Sequence, residues 1–126
     1  MQAKFFYTGI RVRDLDESIQ FYTKVLGMSL TGRTRIAATG GEAADLQSEP
    51  NGPRLELNFY PAGSPHAPPF APGEGLDHLA FQVPDLNAAL EEAKRAGHPP
   101  VLEVAGPNSR WVYITDPNGL YIELFA

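Results

Sequence analysis

Residues 12–27 read VRDLDESIQFYTKVLG, and residues 83–97 read VPDLNAALEEAKRAG. Val12, Asp14 and Leu15 return as Val83, Asp85 and Leu86, and the apolar positions Leu15, Ile19, Tyr22 and Leu26 return as Leu86, Leu90, Ala93 and Gly97, all at an offset of 71. A fixed offset marks an internal repeat, and a repeat governs every later step of a fold reading. In each copy an Asp suited to capping precedes apolar residues at i, i+4, i+7 and i+11, the stripe of an amphipathic helix, and Gly27 or Gly97 stops it.

Working outward, an apolar run rich in strand formers precedes each helix, Phe5 to Val12 and Leu76 to Val83. A second echo follows. Pro50, Asn51, Gly52, Leu55, Glu56 and Leu57 return as Pro117, Asn118, Gly119, Ile122, Glu123 and Leu124, now at an offset of 67, so the second copy is shorter in its middle. Extended segments are predicted over Met28 to Ala37, near Glu42 to Glu49 and over Arg54 to Tyr60, then over Val101 to Val104, Arg110 to Thr115 and Leu120 to Phe125. The unit is βαβββ, written twice, which makes the fold class α+β. One domain over 1–126 is expected, with module one at 1–60, a linker at 61–74 and module two at 75–126. Five prolines in the linker exclude helix and central strand there, and its composition favours a passive spacer.

The chain has 126 residues, room for one domain, and no Cys, which excludes disulfide scaffolds, zinc fingers, iron–sulfur clusters and thiol catalysis. Ten basic against fifteen acidic residues give a net charge of −5, the wrong sign for a phosphate-backbone partner. No apolar run is long enough for a bilayer and no secretory signal opens the sequence, so a cytoplasmic protein with a small-molecule partner is expected.

Strand parity then sorts the polar residues. On Arg54 to Tyr60, Leu55, Leu57 and Phe59 share one face, and Arg54, Glu56, Asn58 and Tyr60 share the other. Glu123 likewise stands opposite Ile122 and Leu124, and His78 opposite Leu79 and Phe81. Tyr7 occupies in copy one the place of His78 in copy two. If the copies pack about an approximate two-fold axis, Tyr7, Glu56, His78 and Glu123 converge, and a divalent metal would neutralise both carboxylates, for which Arg54 and Arg11 are the nearest cations in the pattern. Taken singly, a strand Glu is usually solvent-facing and a lone His usually hydrogen-bonded; the case rests on the set. His66, in the linker, and His98, after a helix stop, read as loop residues. Trp111 alternates with Val112 and Ile114, and serves either the core or a substrate wall.

The segments IRVRDLDESIQFYTKVLG from Ile10, GLDHLAFQV from Gly75 and DPNGLYIEL from Asp116 resemble the vicinal oxygen chelate superfamily, which includes glyoxalase I, methylmalonyl-CoA epimerase, extradiol dioxygenases, fosfomycin-resistance enzymes and bleomycin-binding proteins. The resemblance implies a half-open barrel built from two βαβββ modules in pseudo-two-fold repeat. It also implies a metal held at Tyr7, Glu56, His78 and Glu123, with Tyr7 departing from the His or Gln usual in glyoxalase I. It implies Zn, Ni, Mn, Fe or Co as the cofactor and a homodimer as the assembly. The activity implied is that of a glyoxalase I-like lyase working through an enediolate on a hemithioacetal, with Glu123 the first candidate for the base and Glu56 the second. The alternatives are a non-catalytic binding protein of the bleomycin-resistance kind, and an epimerase or thiol transferase of the same superfamily. An extradiol dioxygenase ranks low, since it wants two His in phase and the chain offers one.

Overall fold

The computed structural model describes residues 2, 6–64, 70–71, 76 and 78–126. The chain divides into two compact units, Met1–Ala71 and Pro72–Ala126. Each is an α+β module of the same order.

Module one runs β1 (Thr8–Arg11), α1 (Leu15–Gln20), β2 (Ser29–Ile36), β3 (Gly41–Gln47) and β4 (Arg54–Phe59). Module two runs β5 (His78–Gln82), α2 (Leu86–Arg95), β6 (Leu102–Ala105), β7 (Arg110–Thr115) and β8 (Tyr121–Phe125). The sheet orders are β1-β4-β3-β2 and β5-β8-β7-β6. In both, the first strand runs parallel to the last and the remaining pairs are antiparallel. A helix must cross over to make that parallel pair. The ladders repeat residue for residue: Thr8 pairs with Leu55 as Leu79 pairs with Ile122, at the two offsets read from the sequence.

Both helices begin where the Asp residues place them. Asp14 accepts from the Glu17 amide at 2.9 Å, and Asp85 from the Ala88 amide at 3.0 Å. Gly27 at φ +73° and Gly97 at φ +90° turn the chain out of the helix through the left-handed region. Asp85→Ala is expected to cost about 1 kcal/mol of stability, read from the urea midpoint, since an orphan amide of the first turn loses its acceptor. The second helix buries Leu86, Leu90 and Ala93, the predicted stripe.

The first helix differs from its prediction. After Gln20 the chain widens into a π turn over Phe21–Val25, closed by the Leu26 amide on the Phe21 carbonyl at 3.2 Å. The extra residue brings neighbouring Phe21 and Tyr22 inward together, rings 5.2 Å apart and perpendicular. Leu15, Ser18, Phe21 and Tyr22 are therefore buried, while Ile19 and Leu26 are only half-buried.

Alternation supplies the sheet faces. Ile10, Ala44, Leu46, Leu55 and Leu57 are buried in module one, and Val112, Ile114, Ile122 and Leu124 in module two. At the rim of these faces an ion pair recurs with its charges exchanged. Arg33 on β2 bonds Glu42 on β3 at 3.0 Å and Asp16 of α1 at 2.6 Å. Arg110 on β7 bonds Glu103 on β6 at 2.6 Å and Asn87 of α2 at 2.7 Å. By ladder register Arg33 stands where Glu103 does and Glu42 where Arg110 does, so the charges were exchanged while the tie from sheet to helix was kept. Its hydrogen bonds to Asp16 and then Glu42 hold the Arg33 guanidinium above its ordinary pKa.

The linker is more than a spacer at its described ends. Ser64 Oγ donates to the Thr39 carbonyl at 2.9 Å, and the Phe70 ring lies 4.7 Å from the Arg13 guanidinium and 5.8 Å from that of Arg11. His66 lies outside the described residues. Among the described residues no helix is long and apolar enough to cross a membrane.

Candidate functional site

The polar residues singled out by parity stand on the sheet face opposite the buried one. In module two Glu123 pairs in register with Ala80 on one side and Tyr113 on the other. The Tyr113 hydroxyl donates to Glu123 Oε2 at 2.7 Å, and His78 Nε2 lies 3.3 Å from the same oxygen. Tyr113 meets the ring edges of His78 and Tyr121 at 5.5 and 6.0 Å. The Glu123 side chain keeps 19% of its exposure and that of His78 33%, enough for a ligand to reach both. Trp111 pairs with Phe125 on this face, half-buried and opposite the buried Val112 and Ile114, so it stands outside the core. Sequence parity placed Tyr113 beside Trp111. Its bond to Glu123 follows from the antiparallel register, which the turn after Thr115 sets.

That turn is itself polar and buried. Asp116 Oδ1 accepts from the amides of Asn118 and Leu120, each at 2.8 Å, its Oδ2 accepts from Asn118 Nδ2 at 3.1 Å, and Gly119 takes φ +84°. The DPNG signature is thus a hairpin device that delivers Glu123 to its face.

Module one repeats the ladder with different chemistry. Glu56 holds the place of Glu123, Gly9 that of Ala80 and Asp45 that of Tyr113. A side-chain carbon at Gly9 would stand 3.9 Å from both Glu56 Oε1 and Tyr7 Cε2 and 3.2 Å from Asn58 Nδ2, so glycine leaves a cradle beside the carboxylate. Tyr7 is 37% exposed and lies under the Arg54 guanidinium, 4.0 Å from the ring centroid. Arg54 Nε is 3.7 Å from Asp45 Oδ1, a buried oxygen with no hydrogen-bond partner. Composition and parity gave no sign of this pair.

Further along the same face, Arg11 pairs in register with Asn58 and lies 5.6 Å over Tyr60. Arg11, Arg13, Tyr60 and Phe70 line a pocket of about 600 Å³. Two guanidinia and two rings suit a ligand with an anionic portion. In module two His98 Nδ1–H donates to the Thr115 carbonyl at 2.8 Å and its amide to that of Ala93, so it fastens the end of α2.

Do these residues suit a metal? Two donors bound about 2.1 Å from an octahedral ion at adjacent positions are about 3 Å apart, and His78 Nε2 to Glu123 Oε2 is close to that separation. Imidazole with carboxylate is a donor set for Zn, Ni, Mn, Fe or Co. In module two His78 and Glu123 stand together, and among the described residues no three His, Asp or Glu side chains gather in one cluster. The His78 and Glu123 donors of module two fit such an ion in kind and spacing.

Residues 4–124 match the family described as the glyoxalase/bleomycin resistance protein/dioxygenase superfamily. The chain belongs to this superfamily. A probable lactoylglutathione lyase of Vibrio cholerae is 32% identical over 126 residues, covering 96% of this chain and 88% of that one. An uncharacterised protein of Bacillus subtilis is 36% identical over 130 residues, covering 99% and 98%. The trypanothione-dependent glyoxalase I of Leishmania major has a solved structure similar at TM-score 0.82 and 26% identity, covering 98% of this chain and 86% of that one. The fold is that of the glyoxalase superfamily, and relatives in it carry lyase names.

Proposed function

We propose that this member of the glyoxalase superfamily is a metal-dependent lyase that isomerises the hemithioacetal of an oxoaldehyde and an anionic thiol. The observation that carries the reading is the Glu123 carboxylate, gripped at one oxygen by Tyr113 and His78 on the open face of module two. The residues we assign to the metal are Glu56, His78 and Glu123, with Tyr7 as the fourth. When bound, a divalent ion supplies Lewis acidity toward the two neighbouring substrate oxygens.

The chain's own residues do the rest. Glu123 takes the proton from one substrate carbon and returns it to the next, and the Tyr113 hydroxyl fixes the carboxylate's orientation for both transfers. Trp111, Tyr121 and Phe125 share its face and keep water from the exchanged proton. Arg11 and Arg13 hold the anionic part of the thiol in the pocket they line. The assembly we propose is a homodimer, in which a partner covers exposed sheet edges. Light scattering at the mass of one chain would remove that claim and leave the site.

The cradle beside Glu56 gives a separate prediction. Gly9→Leu is expected to weaken Mn(II) binding about 10-fold or more, since its side chain enters the space bounded by Glu56 Oε1 and Tyr7. Calorimetric titration checks it, with the melting temperature as the control for folding.

The reading is tested by loading purified protein with each of the five metals and screening methylglyoxal with several thiols. Thiol-dependent, metal-dependent turnover is expected. Stoichiometric ligand binding with no turnover for any combination would favour a binding module of the bleomycin-resistance kind.

A further inference from the structure

The charged pair at the other end of β4 has no part in the reading above. Arg54 shares the open face with Glu56, two residues away on one strand, which puts the two side chains about 7 Å apart at their roots. Its guanidinium carbon lies over the Tyr7 ring, 4.0 Å from the centroid, and over the Phe6 ring at 5.1 Å. The expected counter-ion, Asp45, is 3.7 Å away, beyond hydrogen-bond distance, and its Oδ1 is buried without a partner. Among the described residues Arg54 donates no hydrogen bond, although it retains 29% of its side-chain exposure. A guanidinium held over two rings, donating no hydrogen bond and paired with its counter-ion only at 3.7 Å, keeps its planar fork for a carboxylate.

We propose that Arg54 is a specificity-determining residue that binds a carboxylate at the end of the substrate's acyl side chain. The inference rests on the lyase reading for what the acyl group is. With the reacting carbons beside Glu56, a carboxylate on a short acyl side chain would reach toward Arg54, two residues along the same strand face. Along β4 the sequence of groups is then Arg54 for the acyl anion, Glu56 beside the reacting carbons, and the Arg11 and Arg13 pocket for the thiol. The substrate class is an oxoaldehyde bearing a carboxylate, of which dioxovalerate, methylglyoxal carrying a carboxymethyl group on its methyl carbon, is the simple case.

Two measurements test this. In the first, the Arg54 Nε–H resonance of isotopically labelled protein, assigned by its loss in Arg54→Lys, is followed during titration with succinate; it should move and saturate. In the second, kcat/KM for the hemithioacetals of dioxovalerate and of methylglyoxal are compared. Arg54→Gln should lower the ratio about 10-fold to 100-fold, through the KM of the dioxovalerate adduct, whatever it does to the turnover common to both substrates. Arg54→Lys, which keeps the charge and loses the fork, should recover part of that ratio. An unmoved resonance, or a ratio unchanged in Arg54→Gln, overturns the proposal. If no hemithioacetal turns over in the wild type, the lyase reading fails, and the succinate titration alone decides whether Arg54 is an anion receptor.

Discussion

Glu123→Gln is expected to lower turnover of a hemithioacetal about 100-fold to 10,000-fold, the range over which a positioned acid–base group acts. The substitution is nearly isosteric. Its amide oxygen still accepts from the Tyr113 hydroxyl, which sits 2.7 Å from Glu123 Oε2, so the side chain keeps its place and loses its capacity to take a proton. The effect should fall on kcat, with the melting temperature close to wild type. Glu56→Gln should cost less, because on this assignment Glu56 holds the metal and does not move the proton. Equal losses in the two variants would make the carboxylates interchangeable and remove the ordering of base and ligand.

The second large effect is on stability. Asp116 is 4% exposed and accepts three hydrogen bonds within the turn from Asp116 to Leu120, two of them from backbone amides. Asp116→Ala strands those amides inside the protein, where each loses its acceptor without gaining water. A loss of about 2–4 kcal/mol follows, a fall of about 10 °C in the melting temperature of a domain of this length. Asp116→Asn should recover part of it, since an amide oxygen still accepts. A melting temperature within a degree or two of wild type for Asp116→Ala would mean that the turn's own backbone suffices to fix the register of β8.

The repeat made most of this fold legible. Asp14 and Asp85 announce helix starts because a short acceptor beside an apolar stripe has little else to do, and Gly27 and Gly97 announce the stops. Parity placed Glu56, Glu123 and His78 on the face away from the core because a strand offers two faces and Leu55, Leu57, Ile122 and Leu124 claim one of them. Four features were out of reach. The π turn over Phe21–Val25 widens the helix where the sequence keeps a 3.6-residue apolar pattern, so the pattern does not announce it. The Tyr113 to Glu123 bond and the Asp45 to Arg54 pair depend on the register within the β7–β8 and β3–β4 hairpins, which hydrophobic alternation fixes only to within two residues. The pocket around Arg11 and Arg13 needs Phe70 from a linker whose composition says only what it cannot be.

The central claim is that a divalent ion is held by these residues, and it can be weighed directly. Wild-type protein, loaded with each of the five metals and freed of excess by gel filtration, should carry close to one equivalent of at least one of them by elemental analysis. His78→Ala should fall to background, because imidazole is the only nitrogen donor in the assigned set. A wild-type protein that retains no metal, or a His78→Ala variant that retains it in full, would contradict the account.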